Sequence, residues 1–276
     1  NNIITITEDK HRAIWVGTDN SVTRITDTVK SYKLSEKGQV TKKILITSDN
    51  QIYAANLNGT FVYNEKLDSF LPHPIMGQFY TRTLIEDKNH DIWFGGIEGL
   101  YKTFEDTVVE MIIPGPHKNY HNSIVSSLMD RNGDLWFGTG SGFVRYSADT
   151  FQTFDQKLGV EYVYIKLYQL QDSSYLFGTY GGGVVSFNNP KDFTRTYLGD
   201  SAITENTVHG IEQTKEGIVW LATGGNLLKS KKRVFEEIDI LPNQKALSTY
   251  EIVQDHEGIF WMATSQGILV YNQTTG

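Results

Sequence analysis

The chain has 276 residues, a formal net charge of −7 and no cysteine. The acidic balance argues against general affinity for nucleic acid, and the lack of cysteine excludes disulfides, CxxC redox chemistry and thiolate metal sites. No apolar run approaches the roughly eighteen residues that a membrane-spanning helix needs. We therefore expect neither a nucleic-acid partner nor direct membrane insertion of this segment.

One short pattern recurs along the whole chain. It is clearest at residues 130–139 (DRNGDLWFGT), where an Asp is followed by a turn and, six residues after the Asp, by a Trp. The Trp position is filled in chain order by Trp15, Tyr53, Trp93, Trp136, Leu176, Trp220 and Trp261. Seven strand-rich copies of about forty residues each are the signature of a β-propeller.

Each copy predicts four short antiparallel strands, named a to d in chain order. In the fourth copy they are predicted at 124–129, 135–139, 143–146 and 150–154, with Asn, Gly, Asp and Ser between them. Aromatic and β-branched residues fill these runs, and no stretch shows a convincing helical period. The predicted fold is all-β: a seven-bladed β-propeller of four-stranded antiparallel blades, forming a single domain over residues 1–276.

The aromatic residue of strand b is expected to lie between neighbouring blades. A four-stranded sheet cannot bury both faces alone, whereas stacking around an axis covers both. Burying a Trp removes roughly 150–250 Å² from water, which stabilises the fold by about 4–6 kcal/mol as an upper bound. The Gly-Thr that follows the Trp fits a strand end where a neighbouring blade approaches closely.

The Asp of the pattern has two interpretations. It can accept hydrogen bonds from the amides of the turn that follows, or it can begin a calcium loop, because residues 130–134 read D-x-N-x-D. The glutamate that such a loop needs at its end is missing, since Ser141 stands there. The structural role is favoured, and we expect no metal and no cofactor. In the second and fifth copies, at Asp49 and Asp172, we expect a turn that is two residues shorter.

The two ends of the chain fall at different points of the repeat. Residue 1 opens almost directly on strand a of the first copy, and residue 276 follows strand c of the seventh, whose strand d is missing. An exposed edge strand invites aggregation. We therefore expect the chain to be excised from a longer protein, whose flanking sequence supplies the last outer strand.

Residues 130–146, with Trp-x-Gly-Thr and then Gly-hydrophobic-x-x-Tyr, resemble the two-component-regulator propeller repeat, as do residues 87–101 and 9–25. All seven copies are covered, but Tyr53 and Leu176 replace the Trp and Thr214 replaces the Asp. The resemblance implies a periplasmic, extracytoplasmic sensor domain of a hybrid two-component histidine kinase. It also implies that a tandem propeller and a β-sandwich of the same protein are partners of this domain, and that the parent receptor is a homodimer.

Binding residues are expected where the d–a and b–c loops crowd one face around the axis. Aromatic rings there stack on the apolar face of a sugar, while Asn, Arg and His bind its hydroxyls or a carboxylate. The candidate ligand-binding residues are Tyr80, Arg82, Tyr120, His121, Asn122, Tyr162, Tyr164, Tyr180, Asn206, His209 and Tyr250.

A count along the inner strands refines this prediction. Five residues before the Asp of each copy stand Ile4, Ile44, Arg82, Val125, Leu167, His209 and Tyr250. If this column faces the channel, its three polar members converge; if it packs between blades, they only reach out at its ends. Lys42, Lys43 and Lys166 lie on or beside the same strands, which indicates an anionic ligand, although solvated lysines explain them equally well.

The favoured function is reversible binding of an oligosaccharide, such as a uronic or sulfated one, by a sensor domain that is not itself an enzyme. One alternative is a propeller polysaccharide lyase or glycoside hydrolase, which needs paired carboxylates or Tyr, His and Arg converging on one face. Another is a protein-interaction scaffold, for which a bare, apolar face is expected.

Overall fold

The computed structural model describes residues 2–19, 21–35, 39–114, 123–154, 163–188, 194–196, 207–225, 227–230, 235–238 and 248–272. Its strands form seven antiparallel sheets, one for each copy of the repeat, which we call blades one to seven in chain order. Within these ranges the helical element is one short 3₁₀ turn, Met76–Gln78. The fold is the predicted seven-bladed β-propeller.

The strands follow the order a, b, c, d in each blade. Blades one to three contain Ile3–Glu8, Ile14–Thr18, Ser21–Ile25 and Val29–Lys33; Thr41–Ile46, Ile52–Asn56, Gly59–Asn64 and Ser69–Pro72; and Thr81–Glu86, Ile92–Gly96, Gly99–Phe104 and Thr107–Met111. Blades four and five contain Ile124–Met129, Leu135–Thr139, Gly142–Ser147 and Thr150–Phe154; and Tyr164–Gln169, Tyr175–Thr179, Val184–Phe187 and Thr194–Thr196. Blades six and seven contain Val208–Gln213, Val219–Thr223, Leu227–Ser230 and Glu236–Ile238; and Thr249–Gln254, Phe260–Thr264 and Gly267–Tyr271. Within the described residues, blade seven therefore has three strands.

The inner strands contact one another in a closed ring. Strand a of each blade packs against strand a of the next, and strand a of blade one packs against strands a and b of blade seven. Across this closure the backbone amide of Ile6 donates a hydrogen bond of 2.9 Å to Oε2 of Glu251. The seven inner strands therefore surround a central channel.

The residue at the Trp position is a wedge between neighbouring blades. The tryptophans of blades one, three, four and six are at most 2% exposed, and Trp261 of blade seven is half-buried. The ring of Trp136 lies 4.9 Å from that of Tyr175 and 5.8 Å from that of Phe187, both in blade five. Contact with the next blade is what the repeat predicts for this position.

A glycine two residues after the Trp position lets the next blade approach. In blade four, a Cβ on Gly138 would lie 2.2 Å from the carbonyl oxygen of Tyr164 and 2.3 Å from the hydroxyl of Ser126. Blades one, three and five also have glycine here, whereas blades two, six and seven have alanine. The close approach expected for the Gly-Thr of the repeat is confirmed in blade four.

The Asp of the repeat organises the turn between strands a and b. Oδ1 of Asp130 accepts the amides of Asn132 and Asp134 at 2.9 and 3.0 Å, and Oδ2 accepts the indole Nε1–H of Trp136 at 2.9 Å. The same Asp–indole bond occurs in blades one, three and seven. The carboxylate therefore serves the turn and the wedge, in agreement with its structural interpretation.

The prediction of a shorter turn in blades two and five is wrong. In every blade the amide at the Asp position donates to the carbonyl oxygen four residues later, and this bond starts at Thr47 in blade two and at Leu170 in blade five. Asp49 and Asp172 therefore lie two residues beyond the Asp position, inside turns of ordinary length. The aspartate of blades two and five thus stands two residues later in a turn that has the same backbone hydrogen bond as the other blades.

Candidate functional site

Each inner strand begins with a β-bulge. In all seven blades the pairing of strands a and b shifts between the first and third residues of strand a. A bulge sets two residues of one strand against one of its partner and interrupts the regular ladder. Both the second and the third residues of several inner strands consequently border the channel.

The second residue of strand a lines one recess in every blade. This channel recess has a volume of about 540 Å³. It extends to Tyr80 and Val163, which precede inner strands, and to Tyr180, which follows strand b of blade five. It therefore lies at the end of the channel formed by the d–a and b–c loops. The seven second residues are Ile4, Lys42, Arg82, Val125, Ile165, His209 and Tyr250.

The predicted column holds in five blades and is wrong in two. Lys42 and Ile165 occupy the place assigned to Ile44 and Leu167. The count in blades two and five started from the displaced aspartates, two residues beyond the Asp position, and so reached two residues too far along each strand. The correct register brings a second basic side chain, Lys42, to the level of Arg82.

Two cations, an imidazole and two phenol rings share this level. The guanidinium carbon of Arg82 lies 5.2 Å from the centre of the Tyr80 ring, and the rings of His209 and Tyr250 meet edge to face at 5.7 Å. The pKa of Lys42 is lowered, first by loss of water around the ammonium group and then by the charge of Arg82. Burial and then the charge of Lys42 lower the pKa of His209, so its imidazole is neutral at about pH 7.

A carboxylate and two ammonium groups from third residues form a neighbouring level. Nζ of Lys166 donates to Oε1 of Glu251 at 3.2 Å, and Nζ of Lys43 lies 4.0 Å from the same oxygen. These residues belong to blades five, seven and two, so the ion pairs cross the channel. Burial alone would raise the pKa of Glu251, but the charges of Lys166 and Lys43 outweigh it and hold the pKa at about 2. Burial lowers the pKa of Lys43; with both lysines protonated, this level carries one excess positive charge.

Five of the predicted binding residues border the channel recess. They are Tyr80, Arg82, Tyr180, His209 and Tyr250. The ring of Tyr180 is 66% exposed, whereas the other four side chains are half-buried. The sequence identified these positions through loop composition and the repeat count.

The prediction for Tyr164 is wrong. Its ring is fully buried and packs at 5.0 Å from Phe143 and 6.2 Å from Phe177. Tyr164 is the first residue of its strand and lies before the bulge, which places it in the core between blades four and five. The remaining predicted residues lie outside the described part of the chain: Tyr120, His121, Asn122, Tyr162 and Asn206.

The channel recess combines positive charge with flat apolar surface. Among the described residues that border it, Glu251 is the one carboxylate, facing the cations Lys42, Lys43, Arg82 and Lys166. A positive cleft in a chain of net charge −7 concentrates anions. Arginine binds carboxylates and sulfates through parallel hydrogen bonds, and tyrosine rings contact apolar ligand faces. The recess is suited to an anion that carries an apolar face.

Residues 121–141 match the family model described as "Two component regulator propeller". The described part of this stretch, 123–141, contains strands a and b of blade four with the turn between them. No curated protein matches the chain.

Solved structures with the same fold include two extracellular domains assigned to hybrid two component systems of B. thetaiotaomicron. The BT4673 domain has a TM-score of 0.81 and 17% identity, with 99% of this chain and 38% of that one covered. The BT3049 domain has a TM-score of 0.81 and 21% identity, with 99% and 39% covered. Virginiamycin B lyase from Staphylococcus aureus has a TM-score of 0.78 and 16% identity, with 98% and 94% covered.

These identities establish the shared fold. The chain spans about two fifths of the length of the two extracellular domains. Its described part has no helix with the length and apolar character that a membrane crossing requires. The chain is thus a seven-bladed propeller similar in fold to the extracellular domains of hybrid two component systems, and its fourth repeat matches the two component regulator propeller.

Proposed function

We propose that this chain is a ligand-sensing propeller in the periplasmic region of a hybrid two-component sensor kinase. Its ligand is an anionic oligosaccharide, bound reversibly at the channel recess. The observation that carries the proposal is the convergence of Lys42, Arg82 and His209 with tyrosine rings in one recess. The repeat match and the fold shared with hybrid two component extracellular domains support the sensor assignment.

The ligand class follows from the chemistry of the recess. Lys42 and Arg82 favour a carboxylate or sulfate group, because both are cations at one level and no carboxylate among the described lining residues stands at that level. Tyr180 offers an exposed ring to the apolar face of a sugar. A neutral His209 donates to one hydroxyl and accepts from another. A uronic or sulfated sugar uses all of these groups.

Signalling in this proposal is a shift between two arrangements of a homodimeric receptor. The ligand changes the kinase only if its affinity differs between the two arrangements, and a coupling of about 1–3 kcal/mol corresponds to a difference of about 5–150-fold. A tandem propeller and a β-sandwich of the same protein would transmit the change. The chain's span of about two fifths of the extracellular domains leaves room for such parts.

Titration calorimetry with three oligosaccharides of one backbone, carrying carboxylate, sulfate or no acidic group, tests the ligand class. The acidic sugars should bind, the neutral one should not, and added salt should weaken binding. Arg82→Gln should weaken binding by about tenfold or more, because a charged hydrogen bond contributes about 1.5–3 kcal/mol.

The matched control is Arg145→Gln, which removes a guanidinium that does not border the channel recess. It should leave sugar binding unchanged. If no acidic sugar binds, the proposed ligand class is wrong. If both arginine variants weaken binding equally, the sugar binds outside the channel recess.

A polysaccharide lyase is the second candidate, because Arg82, His209 and Tyr250 border one recess. A lyase needs a cation to neutralise a uronate carboxylate and a base to remove the adjacent proton, and virginiamycin B lyase shares the fold. Incubation with polyuronates, followed by ultraviolet absorbance of unsaturated products, separates the two functions. Product formation that is lost in His209→Ala would favour the lyase.

The other two alternatives have less support. A glycoside hydrolase needs two working carboxylates, whereas Glu251 is the one carboxylate among the described lining residues and already bridges two lysines. An interaction scaffold would present a bare apolar face, but the described lining of the channel recess is strongly charged.

A further inference from the structure

Three blades place a cation over the indole of the wedge tryptophan. In each blade the cation stands on strand c, directly opposite the Trp. Its charged group lies between 5.3 and 5.5 Å from the centre of the indole ring, a distance at which the ring face attracts a cation. The pairs are Arg24 with Trp15, Lys102 with Trp93 and Arg145 with Trp136.

Two of these cations are neutralised by the turn of their own blade. Nε of Arg145 donates to Asp134 at 3.0 Å, and in blade three Nζ of Lys102 lies 2.7 Å from the equivalent aspartate. That aspartate stands four residues after the Asp of the repeat, and blade one has Ala13 there. The Nε–H of Arg24 is buried and has no hydrogen-bond partner among the described residues. Among the described residues, Arg24 thus has no carboxylate partner equivalent to those of Lys102 and Arg145.

Arg24 borders a second recess, of about 500 Å³, which we call the Arg24 recess. It lies between the turns of blades one and two, at the end of the blades opposite the channel recess. Asn50 borders it too, and its buried Oδ1 has no hydrogen-bond partner in the described part of the chain. Two side chains that border one recess therefore each have a buried polar atom without a partner among the described residues.

The acidic side chains around the Arg24 recess do not replace the missing aspartate. Oδ2 of Asp9 accepts the indole of Trp15 at 2.8 Å, Asp49 accepts the hydroxyl of Thr47, and Glu65 is exposed at the border. Two lysines add positive charge to the same border. These charged residues are Asp9, Asp49, Glu65, Lys10 and Lys66.

We propose that the Arg24 recess is a second binding site, specific for a small carboxylate that carries an N–H or O–H next to its acidic group. The guanidinium of Arg24 binds the carboxylate from the recess, and the side chain of Asn50 turns toward the recess so that its Oδ1 accepts the neighbouring donor. Two chemical sources share this pattern: a sugar acid and an acylated amino acid. The site lies away from the channel recess and does not depend on its ligand.

Nitrogen–proton NMR of the arginine Nε–H groups tests this site in the whole chain. The probes are glucuronate, N-acetylglycine and the uncharged N-acetylglycinamide. A saturable shift of the Arg24 resonance with either acid, and none with the amide, is expected, while the resonance of Arg145 stays in place. The acid that binds more tightly identifies the source. The Arg82 resonance reports the channel recess separately.

Two variants complete the test. In titration calorimetry, Arg24→Gln should weaken binding of the acid by about tenfold or more, and Ala13→Asp should abolish binding by supplying the internal carboxylate. Arg145→Gln is the matched control and should bind as the wild type does. If neither acid shifts Arg24, if Arg145 responds equally, or if Arg24→Gln retains full affinity, the site does not exist. Should Ala13→Asp fail to fold, the affinity of Arg24→Gln decides between these outcomes by itself.

Discussion

Blades four and six bury a tryptophan in the same place with different polar groups around it. In blade four, Oδ2 of Asp130 accepts the indole of Trp136 at 2.9 Å and the hydroxyl of Tyr175 at 2.6 Å. In blade six, Thr214 replaces the Asp, and the indole N–H of Trp220 is buried with no hydrogen-bond partner among the residues that the structure describes.

The comparison separates two contributions to the same interface. Trp136 and Trp220 are 1% and 2% exposed, so the carboxylate is not what drives the indole between the blades. Loss of apolar surface from water does that. The Asp decides whether the buried N–H finds an acceptor, and a buried donor without one costs about 1–3 kcal/mol. Blade six carries that cost, and blade four does not.

The largest expected effect comes from removing the acceptor in blade four. Asp130→Ala leaves the Trp136 indole, the Tyr175 hydroxyl and two turn amides without their common acceptor. We expect the free energy of unfolding to fall by about 3–4 kcal/mol, measured by urea denaturation. Thr214→Ala is the matched control and should change it by less than about 1 kcal/mol. Equal losses in the two variants would contradict the assigned role of Asp130.

The second largest loss of stability is expected at Gly138, the glycine two residues after the wedge tryptophan of blade four. Gly138→Ala places a methyl group against the carbonyl oxygen of Tyr164, which belongs to rigid backbone, and should destabilise the chain by about 2–3 kcal/mol. Blade six has Ala222 at this position. The reverse change, Ala222→Gly, should cost only about 0.5–1 kcal/mol. Thermal unfolding of both variants checks the contrast, and a harmless Gly138→Ala would show that the blades can separate freely.

The stability of the chain is expected to rise when blade six is given the hydrogen-bond acceptor that blade four has. Thr214→Asp places a carboxylate six residues before Trp220, in a turn with the same backbone bond as that of Asp130. We expect the free energy of unfolding to rise by about 1 kcal/mol at neutral pH. Thr214→Val, which offers no acceptor, should give no gain. If Thr214→Asp destabilises the chain, dehydration of the carboxylate exceeds the benefit of the new bond.

The sequence is sufficient to predict the blades, because the residue patterns that specify them are local. The predicted bounds of strands a and b in blade four, 124–129 and 135–139, are those observed. Turn residues, strand propensity and the wedge recur in each copy, so seven weak signals reinforce one another. The binding surface has no such redundancy, because the side chains that line it differ from blade to blade.

The errors at the channel recess have two physical sources. In blade two the aspartate is Asp49, two residues after the Asp position, so a count that started from Asp49 missed Lys42. The bulge in each inner strand interrupts the alternation of side chains, so sequence spacing could not show that Glu251 would border the recess or that Tyr164 would be buried. Register at a bulge is set by the partner strand, which a single repeat does not reveal.

The smallest expected effect is a pH dependence that blade four has and blade six lacks. Burial alone would raise the pKa of Asp130, but hydrogen bonds from Trp136, Tyr175 and the turn amides outweigh it and lower the pKa. A depressed carboxyl pKa gives stability that is fully present above the unfolded value, about 3.9, and is lost as the pH falls through the folded value.

The difference in unfolding free energy between the wild type and Asp130→Asn should therefore be constant from about pH 7 to pH 5 and shrink below about pH 4. Urea denaturation across this range measures it. Thr214→Asp should give blade six the same acid sensitivity relative to Thr214→Asn. A difference that stays constant down to about pH 3 would mean that the shape of the Asp130 side chain, rather than its charge, supports the wedge.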